Sequence, residues 1–370
     1  MAAKCRQVEQ RDGCHVSGSC VVRGGTGVGP RYCSAVTVID FELQQSFLTW
    51  APWQVDKSID YHHAQLTPLS SRNSIPSSSI AMVFLPSCQN SLTPGVIWVG
   101  DKLLPNVQKT ISYLRSQGKQ LIFVSNNSTK SRRAYAQKFA KLGIPAKETE
   151  IFGSSYSAAI YLSRVLKFPK DKKVYVLGER GVEEELEAEN ISYVGGTKTE
   201  DLHNDFKDDD FGHIKPDPSI GAVLCALDQH ITYKKLSRAL MYLKQSEEVL
   251  FLATNTDSTY PTHGFLFPGA GTTTTIPLQF ASNRKATNCG KPNQTMMDAI
   301  FARYELDRER TCMVGDRLDT DIQFGLQGKL GGTLLVLTGV HSLEDCAKLD
   351  TYPDYVIDGL GNFAALDTVD

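Results

Sequence analysis

From Gly95 onward, apolar positions alternate between two spacings. Val107, Ile111 and Leu114 recur at helical spacing behind Pro105, and Gly118 follows the run. This predicts a helix: proline fixes φ where no backbone donor is needed, and glycine tolerates the left-handed exit. Leu121-Ile122-Phe123-Val124 is then a short unbroken apolar run, as expected of a buried strand. Tyr135, Phe139 and Leu142 stripe a second helix, with Gly143 after it. Val174-Tyr175-Val176-Leu177, Thr311-Cys312-Met313-Val314 and Leu334-Leu335-Val336-Leu337 read as further buried strands. Met297, Ile300, Phe301 and Tyr304 stripe a helix within 292–306. Short strands alternating with amphipathic helices predict an α/β fold with a parallel sheet.

Residues 1–94 lack this rhythm. Their stretch 67–91 is rich in Ser and Pro, which reads as irregular or disordered chain. The glycine-rich run at 23–30 lacks both the preceding strand and the terminal Lys-Ser/Thr of a phosphate loop. Cys5, Cys14, Cys20 and Cys33 crowd this segment without a Cys-x-x-Cys pair, so a zinc site is not expected. The remaining cysteines are scattered, as reduced thiols would be. Hydrophobic content of 41% supports a sizeable core, and a net charge of -2 with dispersed basic residues argues against a nucleic-acid partner. No run approaches the ~20 apolar residues of a membrane span, and the polar N-terminus lacks the apolar stretch of a secretion signal. The expectation is a cytoplasmic protein with neither membrane nor nucleic acid as a partner.

In open α/β sheets ligands gather at the carboxyl ends of strands. Behind the 121–124 strand stand Ser125-Asn126-Asn127-Ser128-Thr129-Lys130, and behind the 311–314 strand stand Gly315-Asp316-Arg317-Leu318-Asp319-Thr320-Asp321. Gly290-Lys291-Pro292 precedes a helix between them. Hydroxyls and backbone N–H groups can hold phosphoryl oxygens, and a lysine neutralises them as a point charge. An aspartate behind a glycine turn suits a hard divalent cation, and Asp321 is spaced to buttress it. Each stretch alone is ordinary: a turn, a helix start, an N-cap. The ordered set is what carries the reading.

That set resembles the haloacid-dehalogenase-like phosphatases. Within them it is most similar to the eukaryotic 4-nitrophenylphosphatase and phosphoglycolate phosphatase group. The matching stretches include Gly95-Val96-Ile97-Trp98, Phe123-Val124-Ser125-Asn126-Asn127-Ser128-Thr129-Lys130-Ser131-Arg132, Ala253-Thr254-Asn255, Pro268-Gly269-Ala270-Gly271, Gly290-Lys291-Pro292 and the 314–322 run. The resemblance implies a Rossmann-like parallel-sheet core over 95–170 and 286–370, with an α/β cap inserted at 171–285. It implies Mg²⁺ as cofactor, a small phosphorylated metabolite as substrate, and a homodimer through the cap. It places Ser125, Asn127 and Lys291 in catalysis and Asp316 and Asp321 at the metal. Asn126 and the 254–271 loop, with Asn255, Asp257 and His263, are the expected substrate contacts.

The family's first motif is two aspartates separated by one residue and followed by Gly. The first aspartate is the nucleophile and the second the acid/base. If Gly95 is that glycine, Leu92 and Pro94 hold the two positions, and neither side chain can do the work. Asp40-Phe41-Glu42 lies far upstream and lacks the glycine. Scattered substitutions would blur a motif. A pattern intact from Gly95 and absent just before it has the form of a junction, such as a mis-joined first exon preceding residue 95. The alternatives are a protein that binds phosphorylated metabolites without hydrolysing them, and an authentic N-terminal segment with its own interaction role. Without its first strand the core sheet would lack a central member. The run Met82-Val83-Phe84-Leu85 is the candidate for that slot, with a long connection to Gly95.

Overall fold

The structure is a computed structural model. It describes residues 95–197, 215–262 and 265–363, isolated Leu202 and Gly212, and upstream the backbone of Trp53–Gln54, Thr67–Pro68 and Ile80–Phe84. Leu92, Pro94, Asp40, His263 and the four N-terminal cysteines lie outside the described residues.

The core is a six-stranded sheet. Its spatial order is Tyr355–Ile357, Gly332–Val336, Thr311–Gly315, Ile80–Phe84, Gln120–Ser125 and Ile151–Gly153. All neighbours run parallel. The run at 82–85, the candidate for the central slot, is found there as the strand Ile80–Phe84, within a segment otherwise expected to be irregular through residue 94. Its Val83 stands opposite both Val314 and Phe123. Buried on both flanks, the apolar runs at 121–124 and 311–314 have no polar alternation because neither face meets water.

Aromatic packing fills one side of this sheet. Phe123 and Phe139 sit 4.5 Å apart by ring centroid, and Trp98 meets Phe139 edge-on at 5.2 Å. All three are buried, each burial contributing about 1.5–3 kcal/mol. Phe139 lies on the Arg132–Lys141 helix, where the stripe placed it. The first helix starts later than its proline suggested, at Val107, because Asn106 takes a left-handed φ of 57° and ends the approach. Its end is as expected: Gly118 exits at φ 68°.

The cap is a second sheet, ordered Thr287–Asn288, Leu250–Ala253, Ile220–Cys225, Lys173–Leu177, Tyr193–Gly195, again parallel throughout. Its last strand runs to Asn288, past the expected boundary at residue 285. Beside it lies a separate antiparallel hairpin, Thr259–Thr262 with Phe265–Pro268.

One helix belongs to both units. Every residue of Ser154–Ile160 is buried. Tyr156 and Ile160 pack into the core cluster, and Ala158 and Ala159 join Val174, Val176 and Leu224 of the cap. The cap also grips the end of the core's phosphate-loop candidate. Arg132 donates from its backbone N and its Nε to Glu185 at 2.6 and 2.8 Å, and Ser131 Oγ donates to Glu184 at 2.5 Å. Gly181 makes this approach feasible, since a Cβ there would fall 2.6 Å from the Lys130 backbone nitrogen. Among the described residues, no helix is long and apolar enough to cross a membrane.

Candidate active site

The parallel ladders bring three strand ends to one edge. Val124 stands beside Phe84, and Val83 beside Val314, so the turns beginning at Ser125 and Asp316 flank the end of the Ile80–Phe84 strand. Lys291 enters from behind the cap's last strand.

Asn126 ties these parts together. Its side-chain oxygen accepts from the Lys291 backbone N at 2.8 Å, and its side-chain nitrogen donates to the Lys291 carbonyl at 3.1 Å. Its own carbonyl accepts from Ser154 Oγ at 2.6 Å and from Asn255 Nδ2 at 2.8 Å. The amide of Asn126 is spent on Lys291, and that of Asn255 on Asn126, so both amides act as braces although both residues line a pocket shared with the cap residues Leu227, Tyr260 and Ala270. This bracket spans 165 residues of sequence, which no local pattern reveals.

Lys291 Nζ meets Asp321 Oδ1 at 3.0 Å with both side chains wholly buried. Burial pulls the lysine below its ordinary range, and Asp321 first, then Asp316 and Asp257, pull it back up. Asp321 also accepts from Thr320 Oγ1 and, on its other oxygen, from the backbone N of Asp316 and Arg317. Both carboxylate oxygens are thus engaged, which makes Asp321 the post that fixes the Asp316 turn.

Asp316 is different. Its Oδ2 accepts from Val340 N at 3.2 Å, whereas Oδ1 is buried without a partner. Burial, then the charge of Asp321, pushes its carboxyl up to about 7. A buried carboxylate oxygen with no donor is costly unless a cation meets it, and oxygen donors of this kind suit Mg²⁺. His341, which the sequence reading missed, accepts from Leu318 N at 2.9 Å and holds the following turn.

On the other strand end, Ser125 Oγ accepts from Asn127 N at 3.2 Å and lies 3.1 Å from Tyr135 OH. With the tyrosine donating, the serine proton is left for a ligand oxygen. Asn127 Oδ1 accepts from both the N and Oγ1 of Thr129 at 2.8 Å, which fixes its amide and leaves Nδ2 buried and unpartnered. Asp257 is half-buried and faces Arg317 and Lys291; burial raises its carboxyl and those cations lower it. Arg317 is itself held by Asp319 through two bonds of 3.0 and 2.7 Å. The site therefore offers a buried ammonium, a cation-ready carboxylate and free amide and hydroxyl donors, a set that suits a phosphoryl group.

Comparison with known proteins agrees. A family model described as haloacid dehalogenase-like hydrolase matches residues 93–192, and a second HAD-hydrolase-like model matches 288–363. The chain is 48% identical over 284 residues to a 4-nitrophenylphosphatase of Schizosaccharomyces pombe, covering 76% of this chain and 93% of that one. It is 42% identical over 267 residues to phosphoglycolate phosphatase 2 of Arabidopsis thaliana, covering 70% and 86%. Among solved structures, the p-nitrophenyl phosphatase of Archaeoglobus fulgidus superposes with a TM-score of 0.64 at 25% identity, covering 78% of this chain and 99% of that one.

Proposed function

This chain belongs to the haloacid dehalogenase-like hydrolases, among phosphatases of the 4-nitrophenylphosphatase and phosphoglycolate phosphatase type, and from that premise we propose that it binds Mg²⁺ and small phosphate monoesters without turning them over. One observation carries the reading. The central strand Ile80–Phe84 is in place, yet the sequence holds no Asp or Glu between Asp60 and Asp101. Leu85 follows that strand, and Leu92 and Pro94 precede Gly95, so either way of counting leaves the nucleophile and the acid/base without a carboxylate.

The phosphoryl-binding and metal-binding side chains outside the first motif are present. Lys291 neutralises phosphoryl charge, Ser125 and Asn127 donate to its oxygens, and Asp316 Oδ1 is the ligand for the cation. Mg²⁺ bound there supplies charge neutralisation for the phosphoryl group. Asp316→Asn tests the metal assignment. In the wild-type chain Mg²⁺ should raise the melting temperature, because a ligand that binds only the folded state stabilises it. The variant should lose that shift and, with a buried charge removed, melt no lower than wild type in the absence of metal. A full Mg²⁺ shift in Asp316→Asn would remove Asp316 from the metal site.

The competing reading is a faulty junction in the coding sequence. Sequencing the transcript across codons 85–100 separates the two: an Asp-x-Asp immediately before Gly95 would restore a hydrolase.

A homodimer through the cap is part of the same proposal. Its support is the cap hairpin, on which Phe265 and Leu266 are 70% and 71% exposed and Phe267 is 49% exposed. Exposed apolar surface of this kind favours association, at about 25 cal/mol per Å² covered. Light scattering on the full chain should give twice the chain mass, and Phe265→Ser with Phe267→Ser should return the monomer.

A further inference from the structure

We propose that Ser128 is a ligand-binding residue that meets the leaving group of the phosphate ester; this rests on the phosphoryl-binding reading above and extends it. The hydroxyls of the 125–131 loop can be accounted for one by one. Ser125 Oγ is shared with Tyr135 OH and Asn127 N. Thr129 Oγ1 donates to Asn127 Oδ1. Ser131 Oγ donates to Glu184 and accepts from Ala134 N. Ser128 Oγ is buried with no partner, in a residue only 1% exposed. A buried hydroxyl without a partner destabilises the fold that holds it.

Its place gives the hydroxyl a use. Ser128 and Asn127 line a pocket whose lining also includes the cap residues Leu227, Tyr260 and Ala270. Its lining includes Asn127, a proposed phosphoryl donor, together with the cap residues, so the pocket adjoins the phosphoryl groups and reaches the cap. Asn127 Nδ2 and Ser128 Oγ are its two unpartnered buried groups. With Asn127 Nδ2 assigned to the phosphoryl oxygens, Ser128 Oγ is left for the leaving group. A leaving group that carries an oxygen would give the Ser128 hydroxyl the partner it lacks.

The test is calorimetric titration of the full chain in Mg²⁺ with two probes, inorganic phosphate and 2-phosphoglycolate. Wild type should bind the ester more tightly than phosphate. Ser128→Ala should bind phosphate within about twofold of wild type and the ester about 5–10-fold more weakly, the effect of one hydrogen bond. Without ligand, the variant should melt at the wild-type temperature or above it. A structural role for Ser128 would lower that melting temperature, and that result overturns the inference. Equal weakening toward both probes, or an unchanged ester affinity, also overturns it. If wild type binds phosphate but the ester no more tightly, only this inference falls. If it binds neither, the proposed function falls as well.

Discussion

Assayed beside the S. pombe relative with 4-nitrophenyl phosphate and Mg²⁺, the purified 370-residue chain should turn over about 10⁶-fold more slowly, the typical cost of losing a covalent nucleophile. The groups that remain are of the wrong kind to replace it. Lys291 is a cation, Asp321 has both oxygens engaged, and Asp316 faces the metal position. Among the described residues, Asp257 and Asp319 are also near the site: Asp257 faces Arg317 and Lys291, and Asp319 is bonded to Arg317, so both are engaged as charge partners. Positioned donors and a bound cation still accelerate attack by water, but only by a residual about 10³–10⁴-fold over solution. Turnover within about 10²-fold of the relative, abolished by Asp316→Ala, would show that a carboxylate from elsewhere takes the nucleophile's place.

The second large effect is at Lys291. Lys291→Met should abolish phosphate binding and destabilise the fold by about 3–5 kcal/mol, because it strands Asp321 as a buried charge. Three of the aspartate's four bonds survive, from Thr320 and from the backbone of Asp316 and Arg317, which favours the lower end of that range. Chemical denaturation of the two proteins measures the difference. Adding Asp321→Asn to Lys291→Met should recover most of the lost stability by removing the stranded charge. It should recover none of the phosphate binding. If phosphate still binds the single variant, Lys291 is a structural lysine.

Much of the architecture could be read from the sequence because its cause is local. The 121–124 run is apolar without alternation since both of its faces are covered, and the strand is observed as Gln120–Ser125. The stripe around Met297 and Ile300 buries one face of the Gln294–Arg303 helix for the same reason. Gly118 and Gly143 mark helix exits because their φ values, 68° and 76°, are ones that side chains resist. The placement of Ser125 and Asp316 at one edge followed from strand ends, whereas Lys291 is brought there by Asn126 and Asp321.

What stayed hidden depends on partners distant in sequence. Asn126 reads as a ligand donor, yet its amide is consumed by Lys291, and Asn255 is consumed in turn by Asn126. Ser128 reads as a turn residue, and only the absence of a partner in the folded chain distinguishes it from Ser125. Gly181 has no local conformational demand that would mark it; its importance arises from the Lys130 backbone lying against it. The late start of the first helix, at Val107, reflects a left-handed Asn106, which the sequence rule for proline does not foresee.

The doubly flanked strand Ile80–Phe84 has one more consequence. Its ladders to Thr311–Gly315 and Gln120–Ser125 are made by backbone, so the sheet is complete without any acidic residue at its centre. Architecture and chemistry are therefore separable in this chain. In the sequence, residues 85–94 are a cassette between two fixed points, the strand end at Phe84 and Gly95, whose carbonyl is held by Thr338 Oγ1 at 2.8 Å. Exchanging that cassette for a short acidic turn would change what the scaffold does to a phosphate ester while leaving the ladders on both sides of Ile80–Phe84 as they are.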